Sequence, residues 1–89
     1  MQLSIEDLNL CKVLEGVKRN GSVKLACDEI GISASQGSRL ISNKEKELNV
    51  NLVETIPFTG SKVTFSGDRL IRLTHKAIKY LNYLNKKHL

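Results

Sequence analysis

The 89-residue sequence predicts a mainly α-helical domain with one small β-hairpin. Three observations predict this architecture. Apolar residues recur at helical spacing over three segments in the first half of the chain, two short β-branched runs flank a turn that contains Pro and Gly, and a fourth periodic segment runs almost to the C-terminus. With 40% hydrophobic and 26% charged residues, the composition is typical of a single folded domain and excludes a disordered tail.

A serine precedes each of the first three predicted helices. The side chains of Ser4, Ser22 and Ser33 are placed to accept hydrogen bonds from the free backbone N–H groups at helix starts. Gly21 and Gly31 end the first two helices, because glycine tolerates the left-handed conformation of a helix C-cap. We therefore predict one helix of about four turns followed by one of about two turns.

The third predicted helix runs from Ser33 to about Leu48 and has few apolar residues. Such a helix packs through a narrow stripe and exposes a broad polar face. Because a tight turn at Gly31 joins it to the short second helix, the two predict a helix-turn-helix. We expect the third predicted helix, which is the second helix of this motif, to present its polar face to a partner surface.

A hairpin and a long helix are predicted after the helix-turn-helix. Residues 50–56 predict an extended segment, residues 57–61 a turn and residues 62–65 a return strand, which together form a wing. The last helix begins near residue 66, with Thr64 or Ser66 as its N-cap. The predicted organisation is a winged helix-turn-helix over residues 1–65 and a long C-terminal helix over residues 66–89 that belongs to the same unit.

The excess of positive charge lies in the C-terminal half of the chain. The sequence has 14 Lys and Arg against 9 Asp and Glu, a net charge of +5. Up to Glu45 there are six bases and six acids, and after it there are eight bases and three acids. This distribution predicts a polyanionic partner.

Several classes of protein are excluded by what the sequence lacks. No apolar run reaches the roughly 18 residues needed to cross a bilayer, and the N-terminus does not resemble a signal peptide. Cys11 and Cys27 are too few for a disulfide scaffold, so we predict buried free thiols in a reduced cytoplasmic protein, with a redox switch between them as the alternative.

His75 and His88 have no Cys or carboxylate at metal-ligand spacing. We predict no metal, no cofactor and no enzymatic activity, since no nucleophile, acid pair or phosphate loop is recognisable.

Four segments, at residues 21–27, 30–33, 38–41 and 45–52, resemble a known family. They are similar to the GSFTAAA, LGVSQPAVSRQI and LEEELGVRLF motifs of the N-terminal DNA-binding domain of LysR-type transcriptional regulators. The resemblance covers about residues 5–71 and extends to the related domain of ModE-type regulators. It implies a winged helix-turn-helix, sequence-specific binding of double-stranded DNA, and a prokaryotic, cytoplasmic, nucleoid-associated protein.

The sequence departs from the family pattern at several positions. Ala34 and Ser35 stand where the family has Gln-Pro, and Lys24 stands where it has Thr. Gly37 and Lys44 occupy positions that are apolar in the family, and the wing is about one residue longer. These changes leave the predicted fold intact, but the family's preference for particular DNA sequences cannot be transferred.

The resemblance implies DNA contacts from the third helix, because the major groove is wide enough for one helix and displays a distinct pattern for each base pair. Arg39 is the strongest candidate for base reading, since its guanidinium can bridge guanine O6 and N7; the alternative is an ion pair with Glu47 or another nearby acid. The predicted base-reading residues are Ala34, Ser35, Gln36, Ser38, Arg39 and Ser42.

Phosphate contacts are predicted at helix starts and on basic side chains, because free backbone N–H groups attract anions. For the serines among them, helix capping alone is an alternative that is compatible with phosphate binding. The wing, about residues 56–63, is predicted to lie on the backbone or in the minor groove. The predicted phosphate-contacting residues are Ser22, Lys24, Ser33, Asn43, Lys46 and Lys62.

The last helix carries an apolar stripe that the family uses for pairing, so the resemblance implies a homodimer. The alternatives are that the helix packs only on its own domain or lies on a membrane, but Trp is absent and packing explains the stripe better. A second reading of the whole chain is a winged-helix module that binds proteins without specific DNA binding. The predicted dimerisation residues are Leu70, Leu73, Ala77, Tyr80, Leu81 and Leu84.

Overall fold

The computed structural model describes the backbone of residues 3–88 and the side chains of residues 3–86. It contains four helices and one two-stranded antiparallel hairpin, which confirms the predicted mainly α-helical fold. The elements are α1 (Ile5–Asn20), α2 (Val23–Ile30), α3 (Ala34–Leu48), β1 (Val53–Ile56), β2 (Gly60–Val63) and α4 (Phe65–His88).

The serine caps predicted from the sequence are confirmed. Ser4 accepts from the Asp7 backbone N–H at 3.0 Å, and the Asp7 carboxylate accepts from the Ser4 N–H in return, so α1 begins with a capping box. Ser33 forms the same reciprocal pair with Gln36 at the start of α3. Ser22 caps α2 by accepting from the Leu25 N–H at 3.2 Å. Local side-chain chemistry therefore sets all three helix starts.

The hairpin is shorter at its C-terminal end than predicted. β1 and β2 pair antiparallel with Val53 opposite Val63, so the return strand covers residues 60–63 and the prediction of a strand at 62–65 is wrong over its second half. The reason is helix capping: the Thr64 hydroxyl accepts from the Gly67 N–H at 3.1 Å. Thr64 is thus the N-cap of α4, and Phe65 is the first helical residue. Of the two N-caps predicted from the sequence, Thr64 and Ser66, the first is confirmed.

A single apolar core holds the helices and the hairpin together. α1 contributes five of the ten buried core residues, and it packs against α2, α3, α4 and β2. Removing a side chain of this kind costs about 2–5 kcal/mol. The buried core residues are Leu10, Cys11, Val13, Leu14, Val17, Ala26, Cys27, Ile41, Leu52 and Ile71.

Two glycines allow the helices to approach closely. A Cβ on Gly16 of α1 would lie 2.7 Å from the Ala26 Cβ, and a Cβ on Gly37 of α3 would lie 2.2 Å from the Cys27 Sγ. Both distances are far shorter than a van der Waals contact. The short helix α2 is therefore held between α1 and α3 at positions where only glycine fits.

Helix α4 packs on the core through its first half and extends beyond it. Ile71, Thr74 and Ala77 are buried, whereas among the described side chains from Lys79 to Lys86 only Leu84 is partly buried. The molecule is accordingly elongated, with a longest dimension of 51 Å. Within the described residues, no helix is both long and apolar enough to cross a membrane.

We predict that Gly37→Ala destabilises the protein by about 1–3 kcal/mol, as overpacked cores do. Alanine is the better helix former by about 1 kcal/mol, but the overlap with Cys27 outweighs this gain. Urea unfolding measures the change. Cys27→Ala in the same chain removes the overlapping sulfur and should recover most of the loss; equal stability of Gly37→Ala and the unsubstituted protein would contradict the close packing.

Candidate nucleic-acid interface

The outer face of α3 presents a continuous polar stripe. Ser35, Arg39, Ser42 and Lys46 follow one another at intervals of four, three and four residues, so they lie on one side of the helix. All four are exposed, and the buried residue Ile41 lies on the opposite side. We call these four residues the α3 stripe. It exposes hydrogen-bonding groups and two cations along about three turns of helix.

The remaining predicted base-reading residues lie at the margins of the α3 stripe. Ala34, Gln36 and Ser38 are exposed. The Gln36 side chain is already engaged, because its Oε1 accepts from the Ser33 N–H at 3.0 Å in the capping box. The six predicted residues therefore share the exposed side of α3, with Ser35, Arg39 and Ser42 at its centre.

Three cations of α3 and the hairpin are available for an anionic partner. Arg39, Lys46 and Lys62 are exposed and form no ion pair within the part of the chain that the structure describes. The alternative in which Arg39 pairs with Glu47 does not hold in this structure. Glu47 instead accepts from the Lys44 ammonium at 2.6 Å.

The other predicted phosphate-contacting residues have structural partners or lie beside the stripe. Ser22 and Ser33 serve as N-caps, which is the alternative considered from the sequence. Lys24 is exposed and its ammonium lies 3.5 Å from the Asp28 carboxylate, one turn along α2. Asn43 is exposed and lines a shallow cleft with Arg39.

Glu45 connects the stripe to the hairpin, a role that sequence reasoning missed. Its carboxylate accepts from the Leu52 N–H at 2.7 Å and from the Val53 N–H at 3.4 Å. The side chain thus fixes the start of β1 against the C-terminal half of α3. No local sequence signal indicates this contact, because it depends on how the segment between α3 and β1 folds back.

The hairpin contacts the C-cap of α1 close to its turn and carries an aromatic residue at its tip. The Ser61 N–H donates to the Gly21 carbonyl at 2.8 Å, and a Cβ on Gly60 would lie 2.2 Å from the same oxygen. At the tip, Phe58 is fully exposed and has a φ of 67°. A non-glycine residue with positive φ is uncommon and costs about 1–3 kcal/mol. The sequence signal for this residue is a Phe in a turn next to Pro57.

The predicted dimerisation residues line one side of α4. Leu73, Tyr80 and Leu81 are exposed, Leu70 and Leu84 are partly buried, and Ala77 is buried beneath them. Four of the six, Leu70, Leu73, Ala77 and Tyr80, border a mainly apolar groove between α1 and α4 with a volume of about 540 Å³. The groove is lined by Leu3, Asp7, Leu10, Lys44, Leu70, Leu73, Thr74, Lys76, Ala77 and Tyr80.

Packing gives His75 two neighbours with metal-ligating side chains, although none stands at metal-ligand spacing in the sequence. Cys11, Glu15 and His75 bring one donor atom each to within 4.8 Å of one another. Sequence spacing does not indicate this cluster, because His75 follows Glu15 by 60 residues and reaches it only through the packing of α4 on α1. Both cysteines are buried free thiols, as predicted.

The geometry defines a winged helix-turn-helix: three helices, an exposed third helix and a hairpin fixed beside it. No family model matches the chain. No curated protein matches it either.

Several solved structures share the fold. The CbnR DNA-binding domain, solved in complex with DNA, has a TM-score of 0.71 at 18% identity, over 90% of this chain and 91% of that one. A probable transcriptional regulator from Pseudomonas aeruginosa has a TM-score of 0.63 at 24% identity over 93% of this chain. The Vibrio cholerae virulence activator AphB, an LTTR protein, has a TM-score of 0.63 at 22% identity over 96% of this chain. This chain spans 28% of each of the latter two. The fold is therefore that of LysR-type DNA-binding domains.

We predict that Glu45→Ala destabilises the protein by about 1–3 kcal/mol, because two backbone N–H groups lose their acceptor. Glu47→Ala is the matched control, since Glu47 is an exposed glutamate on the same helix and should cost less than about 1 kcal/mol. Urea unfolding of both variants measures the difference. Equal losses would show that Glu45 does not hold the hairpin.

Proposed function

We propose that this chain binds double-stranded DNA in a sequence-specific manner as a transcriptional regulator and not as an enzyme. The single observation that carries the proposal is the α3 stripe: a polar, cation-bearing helix face that no other part of the described chain covers. A major groove admits a helix of this kind. The shared fold supports the proposal, because one of its examples, the CbnR domain, was solved with DNA.

In the proposed complex the α3 stripe faces the base edges. Arg39 is central to the stripe and has a free guanidinium, which is suited to guanine O6 and N7. Ser35 and Ser42 flank it and form hydrogen bonds with either bases or phosphates. Ala34, Gln36 and Ser38 contact the same groove from the margins of the stripe.

Backbone contacts in the proposed complex come from several elements. Lys46 at the end of the stripe and Lys62 in the hairpin supply positive charge. Lys24 on α2 and Asn43 on α3 add contacts from the two helices of the helix-turn-helix. Ser22 and Ser33 bring helix N-termini, whose N–H groups favour phosphate oxygens. The hairpin, about residues 56–63, lies on the backbone or in the minor groove, with Phe58 at the point of contact.

We also propose a homodimer formed through α4, with residues 1–65 contacting DNA and the helix from residue 66 pairing with its counterpart. The groove between α1 and α4 supports this, because its apolar lining is open to solvent. Two copies related by a two-fold axis present two α3 helices, which suits a two-fold DNA site. The proposed cellular setting is the prokaryotic nucleoid.

We predict that Arg39→Ala weakens binding to a selected DNA site by about 1–3 kcal/mol, or roughly 5- to 150-fold, and relaxes the preference at one base pair. Arg72→Ala is the matched control, since Arg72 is an exposed arginine on α4 and should leave the preference unchanged. The site is first selected from random duplexes, and fluorescence anisotropy then measures both variants across a salt series.

The salt series separates DNA binding from the alternative of a protein-binding module. Each neutralised phosphate contributes a slope of about −0.9 in log affinity against log salt, so Lys46→Ala should reduce the slope by about 1. The proposed function is wrong if the protein shows no duplex binding, or binding that salt does not weaken. An unchanged preference in Arg39→Ala removes that residue from base reading.

We predict that Leu73→Glu converts the dimer to a monomer without unfolding the chain. Leu73 is exposed in the single chain and would be buried between the two chains of the proposed dimer. Leu25→Glu is the matched control: Leu73 is 52% exposed and Leu25 is 51% exposed, but Leu25 lies on α2. Sedimentation equilibrium measures the mass, and circular dichroism checks the fold. A dimer that persists in Leu73→Glu would exclude the α4 groove as the interface.

A further inference from the structure

A cluster of three metal-ligating side chains lies between α1 and α4, outside the proposed DNA interface. Cys11 and Glu15 are one turn apart on α1, and the Cys11 Sγ lies 3.7 Å from the Glu15 Oε1. His75 reaches the cluster from α4, and its Nε2 lies 3.0 Å from the Glu15 Oε2. Cys11 is buried, whereas Glu15 is partly buried and His75 is exposed, so the cluster opens to solvent on one side.

We propose that Cys11, Glu15 and His75 form a binding site for a divalent transition-metal ion, with Zn²⁺ as the preferred ion. Thiolate, imidazole and carboxylate are the three side-chain ligands that zinc takes in proteins. Water supplies the fourth ligand from the open side. The combination of sulfur and nitrogen disfavours Mg²⁺ and Ca²⁺, which prefer oxygen ligands.

The distances suit tetrahedral coordination. With zinc bonds of about 2.0–2.3 Å, neighbouring ligand atoms in a tetrahedron lie roughly 3.3–3.6 Å apart. The Cys11 Sγ lies 3.7 Å from the Glu15 Oε1 and the His75 Nε2 lies 3.0 Å from the Glu15 Oε2, so the two distances lie on either side of this range and end on the two oxygens of one carboxylate. All three donor atoms lie within 4.8 Å of one another, and the exposed His75 side chain can adjust to complete the coordination.

Metal binding changes the protonation of the thiol. Burial, together with the Glu15 carboxylate, raises the pKa of Cys11 to about 11, so the thiol carries its proton at neutral pH without a cation. A bound divalent ion replaces that proton: the Sγ–metal bond forms as the proton leaves to solvent, and imidazole binds in its neutral form. The carboxylate that disfavours the thiolate then becomes a ligand of the same ion.

The site would tie the helix-turn-helix to the C-terminal helix. Cys11 lies in the central core helix, and His75 lies on the helix that we propose for dimerisation, on the other side from Tyr80. The proposal does not depend on DNA binding, because its evidence is confined to the α1–α4 contact. Its predicted consequence is a metal-dependent increase in the stability of that contact.

The test uses the reduced, chelator-treated full chain with Zn²⁺ and with Co²⁺. Competition against a chromophoric chelator should give one zinc per chain, and Co²⁺ should give a thiolate charge-transfer band and tetrahedral d–d bands. Zinc at about 100 times its dissociation constant should raise the Tm by roughly 10–20 °C. His75→Gln should weaken zinc binding by at least about 10-fold, as loss of a ligand does.

Two further variants make the outcome decisive. Cys11→Ala should abolish the charge-transfer band, whereas Cys27→Ala, the matched buried cysteine, should keep it. Since Cys11 is a core residue, His75→Gln provides the test in a variant with an intact core. The proposal is overturned if the unsubstituted chain binds no zinc, or if zinc affinity is the same in His75→Gln; Cys11, Glu15 and His75 would then form only a structural contact.

Discussion

The close packing of α2 between its two neighbours is the constraint on which the rest of the structure depends. Ala26 meets Gly16 of α1 on one side and Cys27 meets Gly37 of α3 on the other, and neither glycine position has space for a Cβ. Because α2 has only eight residues, these two contacts fix its position almost completely. The position of α2 in turn decides which side of α3 is buried and leaves the α3 stripe exposed.

The two departures from the apolar family pattern in α3 each have a physical explanation in the contacts of the residue concerned. Gly37 replaces a larger residue where Cys27 occupies the space. Lys44 stands at the other such position, and its ammonium pairs with Asp7 at 3.1 Å as well as with Glu47. These partners raise the pKa of Lys44, and the Ser4 N–H together with Lys44 lowers the pKa of Asp7. A charged residue is therefore tolerated because the α1 cap supplies its partner.

Local signals made most of the fold predictable from the sequence, and long-range contacts account for what was missed. Serine caps and helical periodicity depend on residues three or four apart, so the first three helices are placed correctly. The end of β2 was mispredicted, because Val63 and Phe65 alternate like a strand while Thr64 caps a helix. The Glu45 contact with β1 and the meeting of His75 with Glu15 arise only when separate elements pack. For the candidate interface, the sequence indicated the polar face of α3. It did not indicate which cations on that face lack an ion-pair partner among the described residues.

Ion pairing explains why net charge is a poor guide to where an anion binds. Several bases have an acidic partner nearby: Lys18 and Arg72 share Asp68, and Arg19 pairs with Glu29. Arg39, Lys46 and Lys62 have no such partner among the described residues, so the α3 side keeps three full cations although α3 as a whole is nearly balanced. The lysines of α4 dominate the +5 total, but exposed charges more than about 8 Å from a bound phosphate are largely screened at physiological salt. In the proposed complex the α4 lysines increase the rate at which the protein encounters DNA. Arg39, Lys46 and Lys62 make the direct contacts with the bound DNA.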